Sequence, residues 1–275
     1  MLKVEEHMDI LRAIIRGIKA MGELILPRVC IVCGERLLLD ESIICLHCLA
    51  DMPMTHFWER AHNSMADRFN GVIQNGLEEG WEHLEWQDVA RQPNESSEKY
   101  AFAAALFFYS HEAPYRHILY NLKYEGRIDV GRYFGRILGK KLAASAGFSD
   151  VDCVIPVPLH WIRKWRRGYN QAEIIAQEVA VALNAPLRCD LLHRRRRTKT
   201  QTKLDIKGKT ENVAGAFVAL PPKLGTGPTA IKHVILIDDV FTTGSTLHAC
   251  FVALRAVYPP SVRISIATLG FVGRA

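Results

Sequence analysis

The chain has 275 residues, 49% apolar and 23% charged, with a net charge of +6, which places it among globular proteins with room for one large and one small domain. Residues 160–170 carry four positive charges and no negative one, residues 193–209 carry eight and one, and the remainder is therefore −5. Charge gathered in this way on a mildly acidic body points to an anionic partner, namely phosphate, pyrophosphate or nucleic acid.

In chain order, residues 1–27 read as an amphipathic helix, because Ile10, Ile14, Ile15, Ile18 and Ile25 recur at helical spacing. Arg12, Arg16 and Lys19 interrupt its apolar run, which excludes a transmembrane span and a secretory signal. The expected compartment is the cytoplasm. Residues 28–55 hold Cys30-x2-Cys33 and Cys45-x2-Cys48. Two such knuckles supply the four thiolates of a closed tetrahedral Zn2+ site, structural and not catalytic. The rival reading is a pair of disulfides or a redox pair, which a reducing compartment disfavours. The intervening ERLLLDESII suits a short hairpin. His47 reads as a surface residue, and Cys153, Cys189 and Cys250 read as small core residues.

Residues 56–100 show no clean periodicity and read as an irregular connecting segment. Residues 101–275 form the main domain. AFAAALFFY (101–109) suits a buried strand, and Pro114 opens a helix over PYRHILYNLKY. A further helix over 130–146 places Gly131, Gly135 and Gly139 on one face for close packing. From residue 151 strands and helices alternate: VDCVIPVPL, PLRCDLLH, GAFVAL, HVILIDDV and VRISIATLG as strands, QAEIIAQEVAVAL and STLHACFVALRAV as helices. That alternation implies βαβ units and an α/β fold whose mostly parallel sheet is covered by helices on both faces.

The stretch VILIDDVFTTGST (234–246) puts Asp238 and Asp239 at the carboxyl end of a buried strand, where open α/β sheets bind ligands. The loop through Val240, Phe241, Thr242, Thr243, Gly244, Ser245 and Thr246 then enters a helix N-terminus with unpaired N–H groups. Loop and hydroxyls make a cradle of phosphate size, and the carboxylates beside it can accept hydrogen bonds from sugar hydroxyls. A Walker-B magnesium site would require a G-x-x-x-x-G-K-[ST] loop, and no such loop occurs in the sequence. An ordinary helix cap is the simpler alternative.

This stretch resembles the 5-phosphoribosyl-1-pyrophosphate (PRPP) motif of type I phosphoribosyltransferases. With LPRVCIVCG…CLHC, LKYEGR (122–127), IPVPLHWIRKWRRGYNQAEIIA (155–176) and RTKTQTKLDIKGKTENVAGAF (197–217), the chain resembles the ComF/GntX family of competence-associated phosphoribosyltransferase-like proteins. The resemblance implies a type I phosphoribosyltransferase-like fold behind a four-cysteine zinc ribbon. It implies that Asp238 and Asp239 hold the ribose hydroxyls of PRPP and Thr242 to Thr246 its 5-phosphate, with Mg2+ arriving on the ligand. Arg163, Lys164, Arg166, Arg167, Gly168 and Tyr169 would form a loop facing the pyrophosphate, and residues 194–213 a loop closing over the site. Lys209 stands where the family pattern has an arginine, which weakens any bidentate contact there.

Two functional readings follow. The resemblance implies a role in DNA uptake during natural transformation, handling internalised single-stranded DNA beside the uptake machinery at the inner membrane face. Trp161 and Trp165 among the basic residues of 160–170 suit base stacking, and Arg194, Arg195, Arg196, Arg197 and Lys199 suit backbone contacts. The blander alternative is that these aromatics pack the loop down and that the arginine run is a solvated surface. The second reading is an active transferase that displaces pyrophosphate in favour of an unidentified nucleobase or amine, although no segment looks built to recognise such an acceptor.

Overall fold

A computed structural model describes residues 27–78, 99–195, 215–221 and 231–273. The expected N-terminal helix (1–27), Arg196, Arg197, Lys199, Lys209 and most of the second basic segment fall outside these. The chain divides into two units, at Met52 and Pro53.

The described part of the first unit is a pair of knuckles. Gly34, at φ +77°, lets its N–H return to the Cys30 carbonyl at 2.9 Å. The expected hairpin between the knuckles reduces to one antiparallel bridge, Val29 to Arg36, and a helix α1 (Leu46–Ala50) carries Cys48.

The second unit is built on β1 (Ala103–Phe108), β2 (Cys153–Pro156), β5 (His233–Phe241) and β6 (Arg263–Phe271). They lie in the order β1-β6-β5-β2 and every pairing is parallel. Burial on both faces explains their unbroken apolar sequences: Val234 to Ile237 are fully buried, as are Ile264 and Ile266. Two other expected strands behave differently. Leu187 makes a single parallel bridge to Val154, after which β3 (Leu192–Arg194) turns away and pairs antiparallel with β4 (Phe217–Ala219) in a sheet of their own.

Helices α3 (Arg116–Tyr124), α4 (Ile128–Ala143), α6 (Gln171–Leu183) and α7 (Ser245–Arg255) match the expected periodic segments. Helix α4 approaches α6 through glycines, for a Cβ on Gly139 would lie 2.7 Å from Ala182 Cβ and one on Gly135 3.2 Å from the Ile175 backbone. The segment 56–100 is not irregular where it is described. A 3-10 turn (Phe57–Glu59) precedes α2 (Ser64–Glu78), whose Phe69 meets Phe251 edge-on at 5.9 Å. Asn70 exchanges two 2.9 Å bonds with the Ala101 backbone, and Asn63 Nδ2 donates to the Ala103 carbonyl at 3.0 Å, fastening α2 to the start of β1.

At the opposite end of the sheet from the aspartates, His233 links Asp150 and Ser265, each at 2.7 Å. Ser265 is fully buried and its Oγ also accepts from the Phe102 N–H, so this chain of bonds fastens β5 to β6. Burial lowers the His233 pKa and favours the neutral ring.

Candidate functional site

Strand β5 delivers Asp238 and Asp239 to the carboxyl end of the sheet, with Asp238 level with Thr268 of β6. Asp239 is buried, and its Oδ1 pairs with Lys123 Nζ at 2.9 Å. Lys123 comes from the last turn of α3. Burial alone would lower its pKa, but the charges of Asp239 and Asp238 outweigh that and leave it above its usual value. Asp238 has the opposite problem. Burial first, and then the Asp239 charge, push its carboxyl up to about 7. The pair therefore shares one ammonium, and Asp238 takes up a proton near neutrality.

The loop that follows is shaped by Gly244. It caps α7 at φ +84°, and a Cβ there would sit 2.8 Å from the Phe241 ring. Since glycine offers no side-chain oxygen, Thr243 Oγ1 approaches the Ser245 N–H at 3.4 Å and the Ser245 hydroxyl at 2.9 Å. Phe241 faces inward, its ring packing on Phe271 at 5.7 Å, so only its backbone is available to a ligand. Val240 and Thr246 are half-buried and Thr242 is exposed.

Beside this tip, the segment expected as a loop after β2 is a short helix, α5 (Trp161–Arg167). His160 caps its start, and Gly168, at φ +81°, ends it. Asn170 then caps α6 while its Nδ2 donates to the Val157 carbonyl at 3.0 Å, tying the start of α6 to the residue that follows β2. Trp161 and Trp165 are 70% and 83% exposed, so they do not pack this segment down. Lys164 pairs with Glu173 at 3.2 Å, Arg166 is exposed, and the Tyr169 hydroxyl donates to the Leu122 carbonyl. Arg194 is half-buried, with its guanidinium 5.1 Å over the Phe217 ring. Burial and the neighbouring Arg163 charge lower its pKa, while Asp238 acts against them. It belongs to the surroundings of the carboxylates, whereas Arg195 is exposed. Cys153 and Cys250 are buried as expected, but Cys189 is exposed.

Lys123 is the side chain at this strand tip that its local sequence does not reveal. It sits inside LKYEGR, but nothing local shows that its partner is the strand-tip aspartate.

In the first unit, the sulfurs of Cys30, Cys33, Cys45 and Cys48 lie within 4.8 Å of one another. Cys33 and Cys45 are 3.8 Å apart, and metal–sulfur bonds of about 2.3 Å in a tetrahedron put sulfurs ~3.8 Å apart. The Cys45 N–H points to Cys30 Sγ and the Cys48 N–H to Cys45 Sγ, both at 3.4 Å, as suits thiolates. None of the four forms a disulfide. The cluster fits a bound metal ion.

A family model described as a phosphoribosyl transferase domain matches residues 166–270, which run from the end of α5 to β6. Fold and match together define an α/β protein with a phosphoribosyltransferase domain. The chain is 35% identical over 113 residues to competence protein F of Haemophilus influenzae, covering 41% of this chain and 48% of that protein. It is 30% identical over 137 residues to DNA utilization protein YhgH of Shigella flexneri (49% and 58%). To competence protein ComFC of Bacillus subtilis it is 33% identical over 95 residues (34% and 35%). The matches span between 35% and 58% of each relative's length. The chain is thus similar to proteins named for competence and DNA utilization, the group whose motifs its sequence resembles.

Proposed function

We propose that this protein binds Mg–PRPP at the tip of β5 and handles internalised single-stranded DNA during DNA uptake. The observation that carries the reading is the paired Asp238 and Asp239 at the strand end, followed at once by the Gly244 loop and the start of α7, inside the matched domain. Ribose hydroxyls would donate to the carboxylates, and the 5-phosphate would take the loop N–H groups and the hydroxyls of Thr242, Thr243, Ser245 and Thr246. Mg2+ would arrive with the pyrophosphate, which Arg163 and Arg194 would meet. The names of the relatives support the DNA role, and so do the exposed tryptophans of α5 among four basic residues. The four cysteines would hold a structural zinc. A cytoplasmic protein beside the uptake machinery at the inner membrane face fits this role, and no helix among the described residues is long and apolar enough to cross a membrane.

Transfer to a nucleobase or amine is the second reading. It is favoured by Arg194, which feels the charges of both Asp238 and Arg163, since cations there would stabilise departing pyrophosphate. One preparation titrated with PRPP in Mg2+ and with a labelled 30-nucleotide strand tests the proposal. Both should bind, and the log of the strand affinity should fall with log salt at a slope of about −3 to −4, as for roughly four to six phosphate contacts. PRPP binding without strand binding in low salt removes the DNA role. Strand binding without PRPP binding removes the phosphoribosyl role.

A further inference from the structure

Helix α5 does not present its aromatic rings alone. Trp161 and Trp165 lie one turn apart on it, and on α3 Tyr120 and Tyr124 lie one turn apart as well, 49% and 65% exposed. These four are the only large aromatic residues so exposed among the described residues. The tyrosine rings pair with centroids 5.2 Å apart. The ends of the two helices are joined at one place. The Arg167 guanidinium lies 5.5 Å over the Tyr124 ring and is held by Gln171 Oε1 at 2.9 Å. Close by, the Tyr169 hydroxyl donates to the Leu122 carbonyl of α3.

Neither helix contains an acidic residue, whereas α5 carries Arg163, Lys164, Arg166 and Arg167. Exposed rings on two basic helices, where Glu173 is already paired with Lys164 and Glu125 stands only at the end of α3, fit a ligand that is anionic along its length and planar at intervals. A core would have buried these rings, and a small phosphate has no use for them. Single-stranded nucleic acid has both properties, because every base offers a π-face and every linkage a charge.

We propose that Tyr120 and Tyr124 extend the exposed rings of α5 into one stacking track for single-stranded DNA, which bends round the helix at Arg167, since Arg167 stands two residues after Trp165 and on a different side of α5 from the tryptophans. This rests on the single-strand reading above and assigns residues that the sequence motifs did not. The track ends beside Lys123, whose ammonium sits on Asp239. A strand stacked on Tyr124 is therefore a neighbour of the carboxylate cradle.

The test uses the full chain and a 5′-fluorescein-labelled 20-mer of thymidylate, followed by anisotropy. Tyr120→Leu with Tyr124→Leu keeps apolar bulk and removes the rings. Loss of stacking under even one base should weaken binding roughly tenfold, with the salt slope unchanged because no phosphate contact is lost. Trp161→Leu with Trp165→Leu is the parallel arm. If the tryptophan pair weakens binding and the tyrosine pair leaves it at the wild-type value, the track is wrong and the single-strand reading stands. If the wild-type chain does not bind the oligonucleotide, that reading falls and the track with it. Tighter binding to phosphatidylglycerol vesicles than to the oligonucleotide would assign the face to a membrane and overturn the proposal. Photo-crosslinking of wild-type protein to 5-iododeoxyuridine strands gives an answer that does not depend on the variants folding. Adducts are expected on Tyr120 or Tyr124 as well as on α5, and adducts confined to α5 refute the track.

Discussion

Replacing Lys123 by methionine keeps the length of the side chain and removes its charge. The Lys123 and Asp239 side chains are 22% and 13% exposed and their charged atoms 2.9 Å apart. Breaking a fully buried pair costs about 3–5 kcal/mol, and an exposed pair is worth ~0–1. At this partial exposure the expected loss is about 2–3 kcal/mol. The loss should depend on pH through Asp238. A carboxyl whose pKa is raised in the folded state, here to about 7, binds its proton more tightly folded than unfolded. Ionising it therefore costs stability as pH rises from the unfolded value of ~3.9 towards 7. Without the ammonium that cost grows. Urea unfolding of Lys123→Met against wild type should show the full loss at pH 8, where Asp238 is charged, and a smaller one at pH 5, where Asp238 keeps its proton. An equal loss at both pH values would mean that only the packing of the lysine stem was removed. No loss at pH 8 would mean that the aspartates do not need the lysine.

Cys30→Ser with Cys33→Ser should abolish stoichiometric zinc by elemental analysis and unfold the small unit, whose folding a structural metal supports; retained zinc refutes the site. Affinity for Mg–PRPP should rise with pH, by up to about tenfold per unit from pH 5 to 7 and then level, because hydroxyl donors favour the ionised form of Asp238. Calorimetry should show Asp238→Asn flattening most of that rise, leaving only what the ligand's own phosphate contributes; an unchanged profile in the variant sinks the assignment. Gly139→Val should lower stability by about 1–3 kcal/mol in thermal unfolding by prising α4 from α6, and a variant as stable as wild type would show that these helices are not in such close contact.

The strand-tip motif was legible because its chemistry is local. An apolar run, two acids, hydroxyls and a glycine stand in consecutive positions, and the structure leaves them adjacent. The four cysteines were legible for the same reason. Helix α5 is a loop in what the family resemblance implies, although Trp161 and Trp165 stand at helical spacing. Helix α2 was hidden because Asn63 and Asn70, polar in sequence, are buried and satisfied by the backbone of the β1 segment. The antiparallel pairing of β3 with β4 was not legible either, since a strand's apolar pattern does not name its partner. Lys123 was invisible as a site residue because its role exists only across the fold, against Asp239. Tyr120 and Tyr124 look like core positions of an amphipathic helix until their exposure is seen.

The account stands or falls on Asp238 and Asp239. Isothermal titration of Mg–PRPP into wild-type protein and into Asp238→Asn with Asp239→Asn measures them directly. Two charge-assisted bonds at about 1.5–3 kcal/mol each put the expected loss at roughly a hundredfold or more in affinity. The account predicts saturable binding by the wild type and that loss in the variant, with zinc content unchanged. Equal affinity in the two proteins, or no binding by a folded, zinc-loaded wild type, would contradict it.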